Sequence, residues 1–196
     1  MKIDWVKAEK ILKDNGVGVI PTDTLYGLVG KALSKKAVEK IYKIKGRNEN
    51  KPFIVLIHSL KDLEKFGVNL SLLRGSGQKP RGSLFTPFVS VILPCKLVKF
   101  NYLHRGTKSI AFRMIGKKNI NLFNLIKKVG PIVAPSANKE DGKPAETIKE
   151  AKKYFGNEID FYIDGGKRKS EPSTLIRIEN GEIEILRQGK VKINKK

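Results

Sequence analysis

Residues 17–57 read VGVIPTDTLYGLVGKALSKKAVEKIYKIKGRNENKPFIVLI, and the order of signals within them decides the fold class. An apolar run, Val17, Val19 and Ile20, stops at Pro21. A polar turn follows, Thr22-Asp23-Thr24, and then Tyr26-Gly27. Ser34 precedes KKAVEKIYKIK, where Ala37, Val38, Ile41, Tyr42 and Ile44 recur at helical spacing and Gly46 stands as the left-handed terminator. Residues 52–57, PFIVLI, read as a second buried strand. Strand, polar turn, helix and strand form one crossover unit of a sheet with helices packed on it.

The rest of the chain continues that pattern. Asp4 is placed to cap a helix over residues 4–15, with Val6, Ala8, Ile11 and Leu12 on one face and Gly16 ending it. Ser59 can cap a short helix, LKDLEKFG. Residues 69–87 are basic and rich in Gly, Ser and Pro, and read as a long mobile connection of the kind that forms lids and binding loops. Strands are expected at Phe88–Leu93, Ser109–Arg113, Pro131–Ala134 and Phe161–Ile163. Helices are expected at 119–129, with Ile120, Phe123, Leu125, Ile126 and Val129 inward, and after Thr147 as cap. Asn180-Gly181 joins strands 174–178 and 182–187 as a hairpin, because Asn-Gly supplies the positive φ angles of a tight turn. These elements predict an α/β fold, a mixed open sheet with helices on it, as one domain over residues 1–189. A basic tail, 190–196, follows and is expected to fray.

Composition narrows the function. The chain has 196 residues, 40% hydrophobic and 30% charged, which suits one soluble globular core and no more. No stretch approaches the roughly 18 uninterrupted apolar residues of a membrane span. The N-terminus is charged throughout, unlike a secretion leader. A single cysteine, Cys95, forms no internal disulfide and fits a reducing compartment, so a cytoplasmic protein is expected. The net charge of +21 has two readings. Abundant lysine can attract RNA through its phosphates, or it can be a bias of composition, since the lysines are scattered along the whole chain.

Several chemistries find no motif. His58 and His104 are the two histidines, and neither stands at metal-ligand spacing with cysteine or carboxylate. There is no nucleophile elbow, no GxxxxGK[ST] loop and no GxGxxG turn. What the chain offers instead is a set of small polar and cationic residues at strand ends: Thr22 and Thr24; Lys45, Arg47 and Lys51; Ser136 and Asn138; Ser173 and Thr174; and Arg187. Hydroxyls and amides there can line a crevice, and cations beside them can neutralise phosphate or carboxylate. Such a set suits chemistry performed by positioning and electrostatics, as in phosphoryl or nucleotidyl transfer. Lys45 and Arg47 are placed beside a helix end, outside the core.

The segments GVGVIPTDTLYGL, IKGRNENKPFIVLI, SIAFR, PIVAPSAN, the Asp164-Gly165-Gly166 turn, PSTLI and ILRQG together resemble the YrdC/Sua5 family, in that family's order and over nearly the whole chain. The resemblance implies a YrdC-like sheet with a concave basic cavity. It also implies a synthase joining L-threonine, bicarbonate and ATP into threonylcarbamoyl-AMP with release of pyrophosphate, Mg²⁺ accompanying the ATP. A threonylcarbamoyl-transferase partner would then modify adenosine 37 of ANN-decoding tRNA. By motif it gives a catalytic tetrad of Lys45, Arg47, Ser136 and Asn138. Threonine contacts would come from Thr24, Arg113, Ser136 and Ser173, and ATP contacts from Arg47, Lys51, Ser109, Asn138, Thr147 and Arg187. The sequence departs from the family pattern at residues 86–90, TPFVS in place of PGPxT, and at Leu56, where many members have histidine. It also departs in the loop after Asn138, KEDGKPA, whose glycine is displaced by about one position. The alternative is a protein of the same fold that binds double-stranded RNA or the ribosome without synthase activity.

Overall fold

The computed structural model describes residues 4–73, 84–179 and 182–193. Among these residues nine strands and five α-helices follow one another as α1 (Trp5–Lys13), β1 (Gly18–Pro21), β2 (Tyr26–Lys31), α2 (Lys35–Lys45), β3 (Ile54–Ile57), β4 (Val89–Pro94), α3 (Asn101–His104), β5 (Ser109–Met114), α4 (Ile120–Val129), β6 (Ile132–Val133), α5 (Ile148–Phe155), β7 (Phe161–Tyr162), β8 (Thr174–Glu179) and β9 (Glu182–Arg187). The strands form one mixed open sheet in the order β7-β1-β2-β6-β3-β5-β4-β8-β9.

The helix ends follow the expected capping chemistry. The Asp4 carboxylate accepts from the Lys7 amide at 2.8 Å, and the Ser34 hydroxyl accepts from the Ala37 amide at 3.2 Å, so each satisfies one free donor of a first turn. Gly46 leaves α2 at φ 61°. At the end of α1 the left-handed residue is Asn15, at φ 63°. Gly16 serves closeness instead: a Cβ there would lie 2.4 Å from Ile11 Cγ2.

Strand β2 is the main departure from the sequence reading, which passes from the polar turn directly to α2. Its two glycines, Gly27 and Gly30, break the apolar run and look like loop residues. In the structure they permit close approach: a Cβ on Gly27 would meet Thr22 Cγ2 at 2.8 Å, and one on Gly30 would meet Ile41 Cδ1 of α2 at 3.0 Å. Strands β1 and β2 therefore form an antiparallel hairpin. The crossover unit begins at β2, which runs in the same direction as β3 with antiparallel β6 between them.

Three smaller corrections have local causes. The segment Leu60–Phe66 is a 3₁₀ helix. In α4 the buried residues are Leu122, Leu125 and Ile126, while Ile120 is exposed. Residues 190–193 are tied to the sheet rather than frayed: the Lys190 amide donates to Pro172 O at 3.0 Å, Thr174 Oγ1 donates to Val191 O, and Val191 and Ile193 pack on the core. Within the expected connection 69–87, Leu70–Leu73 form a 3₁₀ turn and residues 74–83 lie outside the described residues. So does the Asn180-Gly181 turn, although its strands pair as expected, with Glu179 opposite Glu182.

Alternation along the strands sorts the core into two layers. Val19, Leu28, Val55 and Val133 belong to one cluster, with Val38 and Ile41 of α2 and Ala151 and Phe155 of α5. Their neighbours Ile20, Val29, Leu56 and Ile132 belong to a second, with Ala8 and Leu12 of α1 and Leu122, Leu125 and Ile126 of α4. Helices thus cover both faces, but unequally. On the second face α1 and α4 lie over the β1-β2-β6-β3 half, and the half made by β5, β4, β8 and β9 carries no helix among the described residues.

Candidate active site

That uncovered half is the floor of a cavity of about 530 Å³. Register puts its residues side by side: Ile54 of β3 opposite Ala111 of β5, Ala111 opposite Ile92 of β4, and Ile92 opposite Arg177 of β8. Ser109, Ala111 and Arg113 alternate on one strand towards the cavity, while Ile110 and Phe112 point into the core. The walls come from the β1–β2 turn (Thr22, Thr24), the segment after β6 (Pro135, Ser136) and the approach to β8 (Pro172, Ser173). Four arginines line the cavity, Arg47, Arg113, Arg177 and Arg187, and no carboxylate does among the described residues.

Of the expected site residues, Thr24, Arg47, Ser109, Arg113, Ser136, Ser173 and Arg187 line this cavity. Lys45, Lys51, Asn138 and Thr147 do not. Lys45 ends α2 as expected, but it lies in the core and not outside it, only 1% exposed. It turns inward beneath the wall, where Nζ donates to Ser136 O at 2.9 Å and to Asn138 O at 2.7 Å. Burial, with Arg47 acting in the same direction, pushes its pKa down to about 8. Lys45 therefore fixes the backbone that presents Ser136. Asn138 braces the next loop, its Nδ2 donating to Lys139 O and Gly142 O at 2.7 and 2.8 Å. Its Oδ1 is buried without a hydrogen-bond partner. The Thr147 hydroxyl accepts from the Glu150 amide at 3.2 Å as the cap of α5.

Two cation clusters flank the cavity. At the rim, Glu140 bridges Arg47 Nη1 at 3.4 Å and Lys51 Nζ at 2.9 Å. The Lys51 hydrogen bond, more than the other nearby cations, holds the Glu140 carboxyl below the usual range. In the wall, Arg113 Nη2 meets Asp23 Oδ1 at 3.0 Å, both side chains 5% exposed. Burial pushes the Arg113 pKa down, Asp23 opposes that, and the charge of Arg187 adds to it. Arg187 is itself aimed by Ser173, whose carbonyl accepts from Nε at 3.2 Å and Nη2 at 2.9 Å.

The departures from the family pattern are accommodated locally. Ser90 Oγ lies 2.9 Å from Ser173 Oγ in a buried pair, so the hydroxyl of TPFVS supports a cavity residue. Phe88 holds φ 70°, a left-handed conformation that favours glycine. Its carbonyl accepts from the Thr174 amide at 2.9 Å, and Lys190 Nζ lies 4.1 Å from its ring centroid. Leu56 is buried in the α1/α4 layer, paired in register with Arg113.

Sequence reasoning gave no role to Asp23, Glu140, Arg177 or Tyr26. Tyr26 pins the Asp164-Gly165-Gly166 turn, its hydroxyl donating to Gly166 O at 2.7 Å and accepting from the Gly165 amide at 2.9 Å. Arg177 was legible in principle, since Ser173, Leu175 and Arg177 alternate to one face. Glu140 and Asp23 act only through distant residues, and local pattern carried no signal for either.

An open mixed sheet whose bare face presents guanidiniums and hydroxyls defines a class: α/β proteins that hold anionic ligands by position and charge. Comparison with known proteins narrows it. Residues 10–189 match the Sua5/YciO/YrdC family model, described as "Telomere recombination", and the chain belongs to that family. A putative threonylcarbamoyl-AMP synthase of Methanocaldococcus jannaschii is 30% identical, over 98% of this chain and 88% of its own. The threonylcarbamoyl-AMP synthase of Bacillus subtilis is 34% identical over 81% of this chain and 44% of its own. The solved structure of Pyrococcus abyssi Sua5 complexed with L-threonine is similar with a TM-score of 0.79 at 27% identity, over 96% of this chain and 56% of that one. The chain thus spans about half the length of the last two. Escherichia coli YciO, at 23% identity and a TM-score of 0.75, shares the fold.

Proposed function

We propose that this protein is a threonylcarbamoyl-AMP synthase, a nucleotidyltransferase that forms L-threonylcarbamoyladenylate and pyrophosphate from L-threonine, bicarbonate and ATP. The observation that carries the reading is the convergence of Arg113, Thr24, Ser136 and Ser173 with Arg47 and Arg187 on one sheet face. Arg113 would fork onto the threonine carboxylate. The hydroxyls of Thr24, Ser136 and Ser173 would bind the rest of the amino acid. Arg47, with Lys51 at the rim and Arg187 opposite, would hold the triphosphate. The threonine amine would condense with bicarbonate to a carbamate with loss of water, and a carbamate oxygen would then attack the α-phosphorus in line, with pyrophosphate leaving. The role of the protein is to align the reactants and exclude water around the labile carbamate.

Among the described residues no group of three or more His, Cys, Asp or Glu could cage a metal. In this reading Mg²⁺ would be carried in on phosphate oxygens, since Mg²⁺ at nucleotide sites keeps waters and takes few protein ligands. The product would pass to a threonylcarbamoyl-transferase that modifies tRNA, with the surplus positive charge available for tRNA. Among the described residues no helix is long and apolar enough to cross a membrane, and the buried free thiol of Cys95 suits a cytoplasmic location. A non-catalytic RNA-binding role is less favoured, because the relatives carry synthase names. The test is pyrophosphate release from MgATP. The proposal expects release that needs both L-threonine and bicarbonate; release independent of L-threonine, or none from folded protein, would overturn it.

A further inference from the structure

Asp23 is the unexplained residue of this cavity. Aspartate in a tight turn usually bonds its own backbone, yet here Thr22 does that work. The Thr22 amide and hydroxyl donate to Leu25 O at 3.0 and 2.7 Å, and the Thr24 amide donates to Thr22 Oγ1 at 3.2 Å. The Asp23 carboxylate instead meets Arg113 of β5 at 3.0 Å, past β6 and β3 in the strand order. Neither Asp23 oxygen nor Arg113 Nε finds a well-aligned hydrogen bond. An under-satisfied buried ion pair is a poor source of stability, since desolvating two charges costs about as much as their attraction returns. It is an effective way to hold one charge in a fixed place. Arg113 lines the cavity, whereas both Asp23 oxygens are covered, so the aspartate stands behind the guanidinium. Arg187, which lines the same cavity, bears on Arg113 with a like charge.

We propose that Asp23 is a positioning residue for the amino-acid subsite: without touching substrate, it holds the Arg113 guanidinium against repulsion by Arg187, so that Arg113 meets a substrate carboxylate. This rests on the synthase reading for the identity of the carboxylate, and not for the guanidinium geometry. Asp23→Asn keeps the size and removes the charge; Asp23→Glu keeps the charge and displaces it.

The test combines nitrogen NMR of the Arg113 side chain with separate titrations of L-threonine and MgATP. In the unmodified protein the guanidinium is expected to rotate slowly. In Asp23→Asn it is expected to rotate freely, with the KM and Kd for L-threonine rising at least tenfold and those for MgATP changing less than twofold. Asp23→Glu, which serves if the Asn variant does not fold, is expected to keep slow rotation and weaken L-threonine about threefold. A freely rotating Arg113 in the unmodified protein would overturn the proposal. So would slow rotation retained in Asp23→Asn, or equal loss for both ligands. Failure of the unmodified protein to bind L-threonine, with the expected rotation intact, would instead locate the failure in the synthase reading and remove the amino-acid role with it.

Discussion

The wall and the rim of the cavity solve one problem in different solvents. Each holds cations against a single carboxylate at hydrogen-bonding distance, Arg113 with Asp23 in the wall and Arg47 with Lys51 and Glu140 at the rim. The Asp23–Arg113 pair is 5% exposed on both sides, whereas Lys51 is 54% and Glu140 18% exposed. Water screens the rim and competes for its partners, so that bridge is cheap to exchange for a phosphate. Water has little access to the wall pair, so that pair is the harder one to separate. In the proposed reading the cavity therefore has a rigid end for a small carboxylate and an adaptable end for a polyphosphate.

The largest expected effect tests the rigidity of the wall. Arg113→Met leaves Asp23 charged, buried and alone, and should cost about 3–5 kcal/mol in urea unfolding, whereas Arg113→Met with Asp23→Leu should recover most of that. Equal losses for the single and double variants would show that the pair is not what links them.

Lys45 lies beneath the Ser136–Asn138 segment, near Arg47 and Glu140 of the rim. Its folded pKa of about 8 is below the ordinary lysine value of 10.5, so the unfolded chain binds more protons between those values, and stability from this group rises with pH across that window. Below about 8 both states are protonated and the slope vanishes. Native protein should gain up to roughly 3 kcal/mol on Lys45→Met between pH 8 and 10.5. A difference that stays flat across that range would place the Lys45 charge in water. Turnover should also fall in Lys45→Met, as Ser136 and Asn138 lose the ammonium that holds their carbonyls.

The rim should give the smallest effect. Glu140→Ala is expected to change stability by less than about 1 kcal/mol, and added salt should shrink even that. A loss as large as that of Arg113→Met would erase the contrast between the two ends.

What the sequence made legible divides along similar lines. Helices α1, α2 and α5 could be read with their caps, because Asp4, Ser34 and Thr147 act within one turn. Strand β2 could not, since Gly27 and Gly30 answer to Thr22 and to α2, which local pattern does not contain. The cavity residues Thr24, Arg47, Ser136 and Ser173 lie in motifs and were found together. Asp23 and Glu140 were not, because an ion pair across the sheet leaves no trace in spacing. Lys45 was found but misplaced: a lysine in the last turn of a helix resembles a solvated dipole partner, and only the tertiary structure shows it buried.

The most direct measurement is the mass of the product formed from MgATP, L-threonine and carbon-13 bicarbonate. An adenylate carrying both threonine and the labelled carbon is the expected result. AMP and pyrophosphate formed without threonine in any adenylate, or no consumption of ATP by folded protein, would contradict the assignment of this cavity to threonylcarbamoyl-AMP synthesis.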